Sequence, residues 1–227
     1  LHFLPRGMIS IRSAWIYYLF LTLAGAAIMI AFFPEKWPVV AAIIILGIAY
    51  SIPGFRLKDN FIGGLMANAA AYGFLIPLLS YGDNITASVV FGMAPYFLAI
   101  ATGYILTTIP DLEGDKASGK KTVAVILGPM GSLWLAFLTL LATLILSMMT
   151  ANHELGGVAL LTLILTIVLL YSFRWRLLMA AIKLPIFLLA LLSGWHYPVF
   201  AAVLLLTIVL TRAYYKRRFG IKYPGLN

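Results

Sequence analysis

The chain has 227 residues, of which 63% are apolar and only 10% charged, with a mean hydropathy of +1.03 and a net charge of +9. An average soluble domain is about one quarter charged, so this composition excludes a soluble globular fold. Cysteine is absent, which removes disulfides, thiolate nucleophiles and thiolate metal sites.

Residues 1–10 have neither the charged-then-apolar order of a signal peptide nor the length of a span. They read as a loop entering a helix at Ser10, a suitable N-cap. Leu1 is not a start methionine, and the natural protein is expected to extend upstream of it. Apolar stretches near the roughly 20 residues that cross a bilayer then recur over 13–33, 37–53, 61–81, 86–108, 129–150, 156–173, 177–194 and 197–213. The expectation is an all-α, polytopic transmembrane helical bundle of about eight spans, because backbone in lipid must satisfy its own hydrogen bonds. The seventh stretch is the weakest, being short and carrying Lys183 and Pro185. No soluble domain fits between the spans, so residues 1–227 read as a single transmembrane domain.

A net charge of +9 raises nucleic acid as a partner, but its distribution points to topology. Threading eight helices from a cytoplasmic start gathers Arg6, Arg12, Arg56, Lys58, Lys116, Lys120, Lys121, Arg174, Arg176 and the five cations from Arg212 to Lys222 on one side. These are 14 of the 16 basic residues. Lys36 falls on the other side and Lys183 within a span. This is the positive-inside asymmetry, and it adds attraction to anionic membrane lipid or an anionic substrate. No nucleic-acid role is expected. His153, His196, Asp83 and Glu154 fall on the opposite side, without the spacing of a metal site.

Two loops on the basic side carry the chemistry. In Tyr50-Ser-Ile-Pro-Gly-Phe-Arg56-Leu-Lys58-Asp-Asn60, Pro53 and Gly54 end a helix and leave Arg56 and Lys58 at the membrane rim. The second loop runs Thr107-Thr-Ile-Pro-Asp-Leu-Glu-Gly-Asp115-Lys-Ala-Ser-Gly-Lys-Lys-Thr122. Pro110 prevents a regular helix by removing a donor. Asp111 and Asp115, four apart, share a helical face, while Glu113 points away from it. Paired carboxylates followed by cations suit a divalent metal held against an oxyanion. A solvated loop whose charges cancel is the alternative, and ordinary anchoring is the alternative for Arg56 and Lys58. Residues 114–121 nearly spell a phosphate-binding P-loop, but Lys121 stands where Ser or Thr is required and no strand precedes it.

These residues resemble the UbiA superfamily of intramembrane prenyltransferases. Its second aspartate-rich motif is matched in order and spacing by Asp111, Asp115, Gly119, Lys121, Thr122 and Gly128. Tyr50-Ser-x-Pro-x-x-Arg56-Leu-Lys58 and Ile109-Pro-Asp-Leu-Glu-Gly-Asp115 are similar to the chlorophyll-synthase and homogentisate-prenyltransferase branch. Leu4-Pro-Arg-Gly-Met-Ile-Ser10 is similar to the segment after the family's first aspartate-rich motif. That motif itself, Asn-x-x-x-Asp-x-x-x-Asp, is not in the sequence, nor are the two helices that normally precede this point. Thr108 stands where the branch often has another aspartate. The resemblance thus implies a prenyltransferase domain that is N-terminally incomplete.

The resemblance implies transfer of a prenyl group from a prenyl diphosphate to a lipophilic acceptor, aromatic, pigment or lipid, with Mg²⁺ and release of pyrophosphate. Asp111 and Asp115 would be catalytic metal ligands, and Lys58 and Lys121 the diphosphate clamp, with Arg56 beside them. Lys116 and Lys120 would assist or serve only as anchors. Tyr50 would line the pocket, although interfacial tyrosines commonly anchor a span. Asn68 faces a polar cavity or bonds a neighbouring helix, the commoner role of such a residue. The expected location is a prokaryotic cell membrane, with the site on the cytoplasmic side. A secondary transporter would show internal repeats and broken helices near mid-membrane; no repeat is found, and the charges cluster at one rim instead. A CDP-alcohol phosphotransferase would need a longer aspartate run with Gly and Ala-Arg. Oligomeric state leaves no mark on the sequence.

Overall fold

The computed structural model describes residues 7, 9–81 and 85–220. Arg6, Asp83, Lys222 and most of the 4–10 segment lie outside the described residues. In chain order the helices are α1 (Ile11–Phe32), α2 (Trp37–Ser51), α3 (Phe61–Ala70), α4 (Ile76–Leu78), α5 (Ala87–Thr108), α6 (Leu112–Ala117), α7 (Val123–Met149), α8 (His153–Tyr171), α9 (Trp175–His196) and α10 (Pro198–Phe219). Eight helical stretches among the described residues are long and apolar enough to cross a membrane. The all-helical polytopic architecture is therefore as expected, and the weakest expected span is a full helix that continues through Pro185.

Contacts divide the chain into two units, Leu1–Thr143 and Leu144–Asn227. In the first, Ser10 caps α1 by accepting the Ser13 N–H at 3.1 Å. A 3₁₀ turn (Pro34–Lys36) leads into α2, and the buried Lys36 ammonium donates to the Tyr81 carbonyl near the end of α4. A lysine buried among apolar helices needs such an acceptor, since an unpaired ammonium there is costly.

The third span is not one regular helix. α3 passes into a π-helical turn (Ala71–Leu75) and then into α4. Both α3 and the π turn pack on α5, and the small residues at 63–73 let the backbones approach closely. A Cβ added at Gly73 would lie 2.5 Å from the Phe97 Cα, and one at Gly64 would lie 2.0 Å from the Tyr104 hydroxyl oxygen. At Gly73 the clash is with backbone, so no side chain fits there, whereas at Gly64 the Tyr104 side chain would have to move. Farther along, Thr102 on α5 donates to Thr139 on α7 at 2.8 Å, a polar bond between two apolar helices.

The fifth span begins earlier than the expected 129. Its helix starts at Val123, breaks at Gly128 (φ 68°, ψ 173°) and resumes at Pro129, a residue suited to a first helical position. In the second unit α8 packs on α9, and α9 on α10. His196 and Glu154, which the sequence left without a role, form a pair at 2.6 Å there.

Candidate active site

The site grows from the two loops that the sequence singles out. After α2 the chain turns through Arg56, whose backbone is left-handed (φ 41°, ψ 51°), into a 3₁₀ turn (Leu57–Asp59). Asn60 then caps α3, accepting the Gly63 N–H at 2.5 Å. A left-handed arginine costs roughly 1–3 kcal/mol and persists only where its surroundings hold it. Here its N–H donates to the Ile52 carbonyl at 3.0 Å, and its carbonyl accepts the Asp59 N–H at 2.9 Å.

The acidic loop leaves α5 at Thr108, turns at Pro110 and forms the short helix α6 with Asp111 at its cap. The Asp115 N–H donates to the Asp111 carbonyl at 2.8 Å, so the two aspartates stand one helical turn apart. Asp111 is exposed, whereas Asp115 is buried, at 7% exposure. Its carboxylate accepts the Lys120 ammonium at 2.7 Å and the Thr122 hydroxyl at 2.9 Å, one on each oxygen. The Lys120 N–H also donates to the Asp115 carbonyl at 3.0 Å. Thr108 closes the base of the loop: its hydroxyl oxygen accepts the Ala124 N–H at 3.3 Å, joining the start of α7 to the end of α5.

The loops meet. The Lys121 N–H donates to the Asp59 carbonyl at 2.7 Å, within an isolated parallel bridge that pairs Asn60 with Lys121. Arg56 and Lys58 are thereby brought beside the segment that carries Asp111, Asp115, Lys120 and Lys121. Lys58 and Lys121 take part in no ion pair among the described residues, so both charges are available. The Lys120 ammonium is held above its usual lysine range by its hydrogen bond to Asp115, against a partial burial that lowers it. Asp115, Asp59 and Asp111 add attraction in the same direction.

Lys116 and Glu113 are set apart from this cluster. They pair with each other at 3.7 Å, with Glu113 87% exposed, and such surface pairs contribute little. Tyr50 and Asn68 meet deeper in the unit, where the Asn68 amide donates to the Tyr50 hydroxyl at 3.3 Å and to the Gly64 carbonyl at 2.8 Å. Asn68 thus makes a hydrogen bond to a neighbouring helix, whereas the cavity it lines is not the polar one expected. That cavity, about 160 Å³, is an apolar crevice between α2, α3 and the π turn, bounded also by Leu46, Ala67 and Ile76.

Two residues of this neighbourhood were not singled out in the sequence. Asp59 binds Arg56 through its carboxylate, Oδ2 to Nε at 2.5 Å, and its other oxygen, Oδ1, is buried without a partner. Its signal was available, since it is one of only seven acids in the chain and lies in the basic loop. Tyr104, on α5, brings a phenol within electrostatic reach of Tyr50, Asp59 and Asp115. An aromatic inside an apolar span carries no such signal; only the facing Gly64 hints at it.

Carboxylate oxygens at Asp111 and Asp115 are the hard donors that Mg²⁺ selects. That ion is commonly bound through one or two carboxylates plus substrate phosphates rather than by an all-protein cage. No group of three acidic, histidine or cysteine side chains among the described residues is placed to hold a metal ion. Asp111 and Asp115 supply two carboxylates of the kind a site shared with substrate phosphates uses, with each Asp115 oxygen already accepting one hydrogen bond, from Lys120 and from Thr122.

A family model described as the UbiA prenyltransferase family matches residues 2–180. Among curated proteins, the chain is 30% identical over 131 residues to a chloroplastic 2-acyl-4-prenylphloroglucinol 6-prenyltransferase of Humulus lupulus, covering 52% of this chain and 32% of that protein. It is 30% identical over 162 residues to a digeranylgeranylglyceryl phosphate synthase of Korarchaeum cryptofilum, covering 70% and 56%. It is also 30% identical over 101 residues to a lycopene elongase/hydratase of Halobacterium salinarum, covering 41% and 34%. The matches thus span from a third to just over half of these relatives' own lengths. No solved structure matches the chain.

Proposed function

This chain belongs to the UbiA prenyltransferase family, and from that premise we propose that it moves a prenyl group from a prenyl diphosphate to a lipophilic acceptor. The observation that carries the reading is the Asn60–Lys121 bridge, which sets the cations of one loop against the carboxylates of the other. A prenyl diphosphate has a multiply charged head and an apolar tail, so its binding site belongs where cations stand at the rim of an apolar bundle.

Asp111 and Asp115 would hold Mg²⁺ together with diphosphate oxygens. The ion, when bound, supplies Lewis-acid neutralisation of the diphosphate. Lys58, Lys121 and Arg56 would clamp the same head from two sides. Their role grows as the bond between the prenyl C1 and its oxygen breaks, because the electron pair leaves with the pyrophosphate and its negative charge rises. Lys120 would hold Asp115 in place and assist the clamp. The allylic carbon then bonds to the nucleophilic atom of the acceptor, which gives up a proton. The apolar crevice at Tyr50 and Asn68 would shelter part of a substrate from water that would otherwise capture that carbon.

Relatives named for a phloroglucinol, a glyceryl phosphate and lycopene match at the same identity, so the acceptor is proposed as a class: aromatic, pigment or lipid. The family match runs across both units, which supports reading residues 1–227 as one transmembrane prenyltransferase domain. The proposed location is a prokaryotic cell membrane, and the cation asymmetry supports a multi-pass topology with the bridged loops on the cytoplasmic side. The test is prenyl transfer by the purified full-length protein with Mg²⁺, a prenyl diphosphate and a panel of the three acceptor types. Pyrophosphate release coupled to a prenylated product supports the reading. Transport of a solute with no product formed in any panel member contradicts it.

A further inference from the structure

We infer that Asp59 is a positioning residue of the diphosphate site, acting through Arg56. The inference rests on the diphosphate reading of the bridged loops. Asp59 engages both cationic arms: its main-chain carbonyl accepts the Lys121 N–H at 2.7 Å, and its carboxylate holds the Arg56 Nε at 2.5 Å. The pair uses the inner Nε of the guanidinium and leaves its outer amino groups, suited to bidentate contact with an oxyanion, to a ligand.

The Arg56 side chain is 58% exposed, but three features distinguish the pair from an ordinary surface ion pair. Arg56 holds a left-handed backbone, a conformation that an arginine adopts only under local constraint. The Asp59 side chain is only 18% exposed, and its second oxygen is buried and unpartnered, a cost that a merely decorative acid would avoid. The same carboxylate also adds attraction for the Lys120 ammonium across the bridged loops. A negative charge next to a polyanion site is unfavourable by its field alone. Its presence there is explained if it aims a cation whose attraction outweighs that repulsion.

The opposing signs make the inference testable in the full-length protein, with inorganic pyrophosphate and Mg²⁺ as the probe in titration calorimetry. Asp59→Asn removes a negative charge, so a pure field effect tightens binding, whereas loss of positioning weakens it, by about tenfold if the Arg56 contact contributes about 1.4 kcal/mol. Asp59→Glu keeps the charge but displaces the carboxylate by one methylene. Positioning predicts a smaller, several-fold loss, and a field effect predicts none. In an Arg56→Ala background, Asp59→Asn should change affinity less than twofold, because the residue through which it acts is gone. Unfolding midpoints confirm that each variant is folded, and Asp59→Glu carries the test if Asp59→Asn is not.

Unchanged or tighter binding by Asp59→Asn overturns the inference while leaving the site intact. An equal loss in the Arg56→Ala background also overturns it, since Asp59 would then act independently of Arg56. No pyrophosphate binding by the unaltered protein would overturn the site reading itself, and this inference with it.

Discussion

The main-chain N–H of Lys121 donates to the main-chain carbonyl of Asp59 at 2.7 Å, and this bond fixes the acidic loop against the basic loop. Because it uses only backbone atoms, it leaves both side chains to the site. Asn60→Cys with Lys121→Cys should therefore form a disulfide under mild oxidation, since bridged residues lie within disulfide reach and the sequence has no other cysteine. A mobility shift on non-reducing gels, cleaved by reductant, is the expected result; the pair Phe55→Cys with Lys121→Cys should cross-link far less.

Asp111→Ala and Asp115→Ala should each abolish prenyl transfer in the full-length protein, whereas Glu113→Gln should retain most of it. Glu113 lies about 200° from Asp111 around a helix of 3.6 residues per turn and pairs outward with Lys116. Equal losses at all three positions would favour generic loop electrostatics over a shared metal face.

Lys58→Met and Lys121→Met should lower kcat as well as kcat/KM, by roughly tenfold to a thousandfold, if each cation contributes about 1.4–4 kcal/mol to the departing pyrophosphate. Membrane anchors would behave differently: expression or orientation would change while turnover per folded molecule stayed level.

Packing gives a prediction independent of chemistry. Gly73→Ala forces a Cβ to within 2.5 Å of the Phe97 Cα and should destabilise by about 1–3 kcal/mol, the usual cost of overpacking. Gly103→Ala, with nothing within 4 Å of its added Cβ, should be neutral or stabilising by up to about 1 kcal/mol. Thermal unfolding in one detergent compares the two.

Lys120 sets an alkaline limit. Its folded pKa is raised above the ordinary 10.5, first by its hydrogen bond to Asp115. A raised lysine pKa contributes stability that is complete below about pH 10.5 and is lost as pH rises through the folded value. The stability difference between the unaltered protein and Lys120→Met should accordingly stay constant from pH 7 to about pH 10 and shrink above it. A difference that grew with pH would mean that the ammonium is not held by Asp115.

The spans were legible in the sequence because each is a long apolar run closed by a turn residue, as at Pro53 and Pro110. The break at Gly128 falls where the fifth span was expected to start and is marked by the Gly128-Pro129 pair; the helical segment from Val123 before it was not expected. The contents of the two loops were legible for a similar reason: in so apolar a chain, a cluster of charge has few explanations. What joins them was not. The Asp59–Lys121 bond is made by main-chain atoms, which carry no residue signature, and Tyr104 reaches the cluster only because Gly64 leaves room on a neighbouring helix. Asp59 was visible as an acid, but its role depends on the turn at Arg56, and a left-handed arginine has no local sequence mark.

The central claim is that both loops serve one diphosphate. Its most direct test is binding of a non-hydrolysable prenyl thiodiphosphate to the purified full-length protein with Mg²⁺, comparing Lys58→Met from one loop with Asp115→Asn from the other. The account predicts saturable, Mg²⁺-dependent binding that each variant weakens by about tenfold or more, a loss of about 1.4 kcal/mol. Binding that is indifferent to either loop would contradict it.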